Sequence, residues 1–386
     1  MTTNAPASPR VFAVIAGGGT AGHLIPALAI AEQLVDRGRS PRSIAFVASR
    51  RPVDAQYLEH TDHPRLLLEV DGLQRSLAPR AVWRNLLAAP KLLVATALAT
   101  RQLRRWRPRV VVSVGGFASE PAVRAARALR VPVVVVSYDR QPGLATRRQA
   151  RHAAAVAVAF ADSALPGARH AGAPVRARVR SVSRATAAGD GARDAAARVF
   201  GVDPRRLVVV AMGGSLGSRT INDAIERWVA ANARRDDVAV VHLAGDRYAV
   251  AAGEASRADA SQPGALQYVR RASHAEMADV WTLADAVVCR AGASTVAELV
   301  TVGVPSIVVP WADAADDHQR RNARWLADAA AAIVVDEHET TARFDAELSR
   351  LLDDPLLREQ LAAKSFALGA LNRSAALGAV IEAAAR

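Results

Sequence analysis

A chain of 386 residues with 51% hydrophobic content is too long for one ordinary core and has ample material for two. Its net charge of +13 is nearly all arginine, since only Lys91 and Lys364 are lysines; aromatics make up just 4%. Without stacking aromatics or a zinc or helix-turn-helix pattern, that charge argues against nucleic acid and for an anionic substrate or anionic membrane.

The first predicted element is the apolar, β-branched run Val11 to Ala16, a buried parallel strand. Gly17-Gly18-Gly19-Thr20-Ala21-Gly22-His23 follows, and Leu24, Ala27, Leu28, Ala31 and Val35 then line one face of a helix with Pro26 in its first turn. Glycine turns of this kind are common α/β plumbing. This one also lacks the spacing of a phosphate-cradling or dinucleotide loop. His23 adds chemistry, because an imidazole aimed at a helix start beside an anion can move a proton near neutral pH.

Further strands are predicted at Ile44 to Val47, Leu66 to Val70, Val110 to Val114, Val131 to Val136 and Ala154 to Val158, alternating with helical stretches as in a covered parallel sheet. Between Arg75 and Arg109, Trp83, Leu86, Leu87, Leu92, Leu93 and Leu98 mix with nine basic residues. That segment reads either as a helix covering the sheet or as an interfacial helix on anionic lipid. Ala177 to Asp194 is the linker candidate. No apolar signal core lies in Met1 to Arg10, and no run reaches the roughly 18 residues of a membrane span.

The second half opens like the first: a strand from Leu207 to Val210, then Gly213-Gly214-Ser215-Leu216-Gly217-Ser218, then a helix from Ile221. Strands follow at Ala239 to Leu243, Leu266 to Val269, Ala286 to Cys289, Ser306 to Val309 and Ile333 to Val335, and Pro355 to Arg386 is helical with a break near Gly369. Cys289, the only cysteine, reads as core filler and leaves no pair for a disulfide. After it, Ala291-Gly292-Ala293-Ser294-Thr295 opens a helix with Glu298 one turn in. A carboxylate there can bond ribose hydroxyls while the helix start receives phosphate, although Ser294 or Thr295 with Glu298 also suits a capping box. Asp317-His318-Gln319 and Asn322 are candidates for reading sugar hydroxyls.

Seven segments in order resemble the MurG family, which adds N-acetylglucosamine to lipid I. They are Gly17 to His23, Asp71-Gly72-Leu73-Gln74-Arg75, Gly115-Gly116-Phe117-Ala118-Ser119, Gly172-Ala173-Pro174-Val175-Arg176, Gly213 to Gly217, Cys289 to Glu298, and Asp317-His318-Gln319. The resemblance implies a GT-B fold, two Rossmann-like doubly wound parallel-sheet domains facing across a cleft. It divides the chain into residues 1–178 on the acceptor and membrane side, with helix 368–386 packing back on them, and residues 179–367 on the UDP-sugar side. It implies an inverting, metal-free transfer with no cofactor besides the donor UDP-N-acetylglucosamine. Arg176, Ser215, Ala293, Ser294, Thr295, Glu298 and Gln319 would hold the donor, and Thr20, Ala21 and Gly22 would face its diphosphate. Gly18, Gly19, Phe117, Ser119 and Asp139 would lie on the acceptor side. His23 is the candidate base, with Asp139 as second candidate. The partners implied are a nucleotide sugar, a polyprenyl-diphosphate lipid and, through Arg75 to Arg109, the inner face of the cell membrane, making the protein cytoplasmic and peripheral.

The chain departs from the family at Val136-Ser137-Tyr138-Asp139, where His-Glu-Gln-Asn is usual, and at Phe117, where tyrosine is usual. Asp139 and Glu120 would repel a diphosphate acceptor unless paired, for instance with Arg140. Two alternatives therefore stay open: the same transfer to another acceptor, a natural product or other glycan, and a UDP-sugar epimerase or non-catalytic binder.

Overall fold

A computed structural model describes residues 10–59, 61–70, 79–183, 191–248, 257–258, 264–314 and 317–385, with side chains of 79–88 and 257–258 excepted. The chain divides into two compact units, one spanning Met1–Ala177 with Ser374–Arg386 and the other Arg178–Arg373.

The first unit is built on seven parallel strands: β1 (Ala13–Ala16), β2 (Ile44–Ser49), β3 (Arg65–Leu68), β4 (Val110–Ser113), β5 (Val133–Ser137), β6 (Ala155–Val158) and β7 (Ala168–His170), in the order β3-β2-β1-β4-β5-β6-β7. The central strands are alanine and valine buried on both faces, as a sheet covered by helices on both sides requires. Strand order reverses at β1, whose last residue Ala16 pairs with Val47 on one side and Ser113 on the other. The loop leaving β1 therefore opens at the switch point of the sheet, where doubly wound folds take ligands. The helix Ala376–Ala384 belongs to this unit, anchored by Glu382, which accepts from Arg37 and Arg39 at 2.7 and 2.9 Å.

The second unit repeats the plan with β8 (Leu207–Met212), β9 (Val238–Leu243), β10 (Arg257–Ala258), β11 (Gln267–Arg271), β12 (Ala286–Cys289), β13 (Ser306–Val308) and β14 (Ile333–Val334), ordered β10-β11-β9-β8-β12-β13-β14. Among the described residues only the two-residue β10 runs antiparallel. β8 sits between β9 and β12, so the loop after it also lies at a switch point. Trp228, Phe344, Leu348 and Leu351 pack under the sheet. Arg373 stays with this unit because its guanidinium donates to the carbonyls of Val300 and Thr301, at the end of the helix Ala293–Val302.

Candidate active site

In the first unit the helix after β1 spans Ala21–Asp36, with Thr20 at its N-cap. Thr20 does not cap with its side chain; its Oγ1 meets His23 Nδ1 at 3.0 Å. Pro26 therefore falls in the second turn, not the first as the sequence suggested. There its missing N–H leaves the carbonyl of Gly22 without an intrahelical donor. The hydroxyl of buried Tyr138 supplies the lost bond at 2.8 Å. Burial, with Asp139 adding to it, pushes the Tyr138 phenol well above its ordinary range, so it remains a donor.

The glycine loop is held from below by Asp54 on the helix Pro52–Glu59. This fully buried carboxylate accepts the Gly19 amide at 2.9 and 2.7 Å, the Ser49 amide at 2.9 Å and the Ser49 hydroxyl at 2.6 Å. Arg51 donates to the Gly19 carbonyl at 3.1 Å, and its guanidinium lies over the Phe117 ring. The ring in turn covers Gly19, where a Cβ would come within 2.8 Å of it. His23 lies over Gly116, whose φ of 73° and missing side chain admit the imidazole; a Cβ there would stand 3.2 Å from Nε2. Burial lowers the pKa of His23 while Asp54 pulls it the other way.

Ser119 is buried and donates to the Gly116 carbonyl at 2.9 Å, while Gln149 donates to its hydroxyl at 3.1 Å and to Glu120 at 2.9 Å. Glu120 also accepts from Arg124 at 2.8 Å, and Arg140 donates to Asp162 at 2.5 Å. Arg176 is engaged by Glu32 of the first helix at 2.7 Å, and the same carboxylate accepts the Ala177 amide at 2.7 Å.

In the second unit Ser215 and Leu216 project from the loop after β8, and Ser218 caps the helix Arg219–Ala231, its hydroxyl accepting the Ile221 amide at 3.3 Å. Gly217 approaches the Ala244 carbonyl so closely that a Cβ would lie 2.0 Å from it. That carbonyl is fixed by Asn222 at 3.1 Å, Asn222 Oδ1 by His242 Nε2 at 3.0 Å, and His242 Nδ1 by the Tyr268 hydroxyl at 2.8 Å. Since Asn222 gives its amide hydrogen to Ala244, its oxygen takes the Nε2 hydrogen of a neutral His242. Burial, reinforced by nearby Arg270, lowers the His242 pKa to about 4.

The helix Ala293–Val302 starts directly after Gly292 and has no side-chain cap, so Ser294 and Thr295 sit inside its first turn and the capping-box alternative fails. Glu298 is 9% exposed, and its Oε2 accepts the indole N–H of buried Trp281 at 2.8 Å. Gln319 accepts the Trp311 amide at 3.0 Å at the start of the helix His318–Asp328. Asn322 is fully buried and donates to the Ala291 carbonyl at 3.0 Å, so it supports the Ala291–Gly292 turn and is not placed to read a sugar. Arg290 and Thr220 both donate to Glu337, which also accepts the Ala312 amide at 2.8 Å. Cys289 is completely buried, its thiol pushed up to about 12, and is inert filler.

Among the described residues no three histidine, cysteine or acidic side chains gather as metal ligands, and no helix is long and apolar enough to cross a membrane. The helix Pro79–Trp106 buries Ala95, Ala99, Leu103 and Trp106 while Leu93, Val94 and Leu98 face outward beside exposed Arg101, Arg104 and Arg105. The Asp71 to Arg75 segment lies outside the described residues.

Residues 13–158 match the Glycosyltransferase family 28 N-terminal domain and residues 208–376 the Glycosyltransferase family 28 C-terminal domain. A relative from Alkalilimnicola ehrlichii, named UDP-N-acetylglucosamine--N-acetylmuramyl-(pentapeptide) pyrophosphoryl-undecaprenol N-acetylglucosamine transferase, is 36% identical over 92% of this chain and 94% of its own. One of the same name from Paenarthrobacter aurescens is 35% identical over 96% and 95%. The chain belongs to the MurG family. The crystal structure of Acinetobacter baumannii MurG aligns with a TM-score of 0.67 and 26% identity over 97% of this chain and 99% of that one. The fold class is GT-B, and the chain is a UDP-N-acetylglucosamine-dependent glycosyltransferase.

Asp54, Tyr138, Trp281, His242 and Asn222 carry much of this architecture and were not singled out from the sequence. Each works through a partner distant in the chain, and only Tyr138 left a trace, as part of a segment that departs from the family.

Proposed function

We propose that this protein transfers N-acetylglucosamine from UDP-N-acetylglucosamine to lipid I, forming lipid II for peptidoglycan. The observation that carries the donor half is Glu298, buried on a helix whose uncapped start leaves its first amides for phosphate. In this reading Glu298 holds the ribose, while Ala293, Ser294, Thr295, Ser215, Arg176 and Gln319 bind the remaining donor groups. Thr20, Ala21 and Gly22 address the diphosphate, whose charge grows as the sugar leaves. Each amide aimed at that charge contributes about 3 kcal/mol.

On the acceptor side Gly18, Gly19, Phe117, Ser119 and Asp139 frame the lipid diphosphate. Ser119 acts there through the Gly116 turn that its hydroxyl fixes. His23 takes the proton of the attacking hydroxyl at Nε2, with its own hydrogen on Nδ1 accepted by Thr20. The lowered pKa keeps the ring in its neutral, basic form at neutral pH. Attack from the face opposite UDP inverts the anomeric centre. No metal or further cofactor enters this scheme; the donor substrate brings the leaving group.

The outward face of the helix Pro79–Trp106, three apolar side chains beside arginines, supports a peripheral seat on the anionic cytoplasmic leaflet. The test is UDP release by purified protein with lipid I, with a soluble acceptor and with none. Release that requires lipid I supports the reading. Turnover on the soluble acceptor alone, or conversion of the sugar with no acceptor, refutes it.

A further inference from the structure

A glycine loop at a switch point ordinarily offers its amides to an anion, yet here the Gly19 amide is already taken by a protein carboxylate. Asp54 is fully buried, and its accepted bonds come from Gly19 and Ser49. The loop floor is therefore both occupied and negative. A ligand phosphate is kept off the Gly19 amide and directed to the helix start, where the amides of Ala21 and Gly22 precede His23, the first residue whose amide bonds to the Thr20 carbonyl. We propose that Asp54 is a positioning residue for the transfer, fixing the Gly19 turn so that the next residue, Thr20, meets His23 Nδ1 and ligand phosphate meets Ala21 and Gly22. The part concerning His23 rests on the proposed role of that residue as base.

The groups around His23 favour this division of labour. Thr20 occupies Nδ1, and Gly116 lies against Nε2. Tyr138 donates to the Gly22 carbonyl and stays protonated, with Asp139 next to it in the chain. Arg51 is turned to the Gly19 carbonyl and the Phe117 ring, and Glu120 is engaged by Arg124 and Gln149. Asp54 is the one of these groups whose charge raises the basicity of the imidazole, opposing the effect of burial. A carboxylate does this by favouring the imidazolium, and the proton taken from the acceptor hydroxyl is the one that makes it.

The experiment is an NMR titration of the His23 imidazole, assigned with His23→Gln, in the wild-type chain and in Asp54→Asn, alongside steady-state kinetics. Asp54→Asn keeps an acceptor for Gly19 but removes the charge. The His23 pKa and the acid limb of the pH–rate profile should both move down. The kcat should fall about tenfold, and the KM for UDP-N-acetylglucosamine should stay within about twofold, because the amide that replaces the carboxylate still accepts from Gly19 and keeps the loop in place. Ser49→Ala, which removes one hydroxyl donor and leaves the charge, provides a second variant should Asp54→Asn fail to fold. It should lower kcat several-fold without moving the His23 pKa down. An unchanged His23 titration in Asp54→Asn, or wild-type kcat in Ser49→Ala, overturns the proposal. Wild-type turnover by His23→Ala would instead remove the histidine as base, while the titration still reads whether Asp54 governs it.

Discussion

Replacing His242 with glutamine separates a buried hydrogen-bond relay from its protonation. In the folded chain His242 is fully buried and neutral, accepting from Tyr268 and donating to Asn222, and its pKa is lowered from 6.5 to about 4. The unfolded chain binds a proton below pH 6.5, whereas the folded chain does so only near 4. The contribution of His242 is thus complete above pH 6.5 and is lost as pH falls through that window. Linkage gives a loss of roughly 2 kcal/mol by pH 5 and roughly 3 kcal/mol by pH 4. Glutamine cannot titrate, so its variant is spared this loss, though disturbing the relay should cost about 1–3 kcal/mol at pH 7. Urea unfolding followed by tryptophan emission reads the relevant unit, since Trp228 and Trp281 are buried there. The wild-type advantage at pH 7 should narrow or reverse by pH 5. A stability gap that stays constant between those two values would refute the relay and its neutral histidine.

Glu298→Ala should weaken UDP binding by about 10- to 100-fold in calorimetry with little change in melting temperature, and Trp281→Phe should share part of that loss by releasing the carboxylate. His23→Ala should lower kcat by about 10²- to 10⁴-fold with donor affinity kept, measured by UDP release. Tyr138→Phe should destabilise the first unit by about 1–3 kcal/mol in urea unfolding, because it leaves the Gly22 carbonyl with no donor beside Pro26. Leu93→Glu combined with Leu98→Glu should abolish cosedimentation with vesicles rich in anionic lipid while leaving UDP binding intact.

The sheets were legible because their strands are buried on both faces and announce themselves as valine and alanine runs, from Val110 to Ser113 as plainly as from Leu207 to Met212. β7 and β10 escaped notice for the opposite reason. Ala-Arg-His and Arg-Ala are short edge segments held by a neighbour's backbone, with no hydrophobic period of their own. The glycine loops could be read from composition, but what braces them could not. Asp54 lies 35 residues from Gly19, and Tyr138 lies 116 from Gly22. Asn322 misled for a related reason: an amide just after a strand end suits a sugar as well as it suits a backbone carbonyl, and only burial tells the two apart.

The segment Val136 to Asp139 departs from the family pattern, and its structure gives part of that departure a local role. In this chain Pro26 leaves the carbonyl four residues back, that of Gly22, without an intrahelical donor, and the phenol of Tyr138 supplies one. The residue change thus has a local purpose in holding the first glycine loop, independent of which acceptor is used. Of the two anions near the acceptor side, Glu120 is answered within the unit by Arg124 and Gln149, whereas Arg140, the partner expected for Asp139, is turned to Asp162. Phe117 packs on Gly19, the His23 imidazole is seated on Gly116, and Tyr138 bonds Gly22, so both departures from the family pattern lie against the first glycine loop.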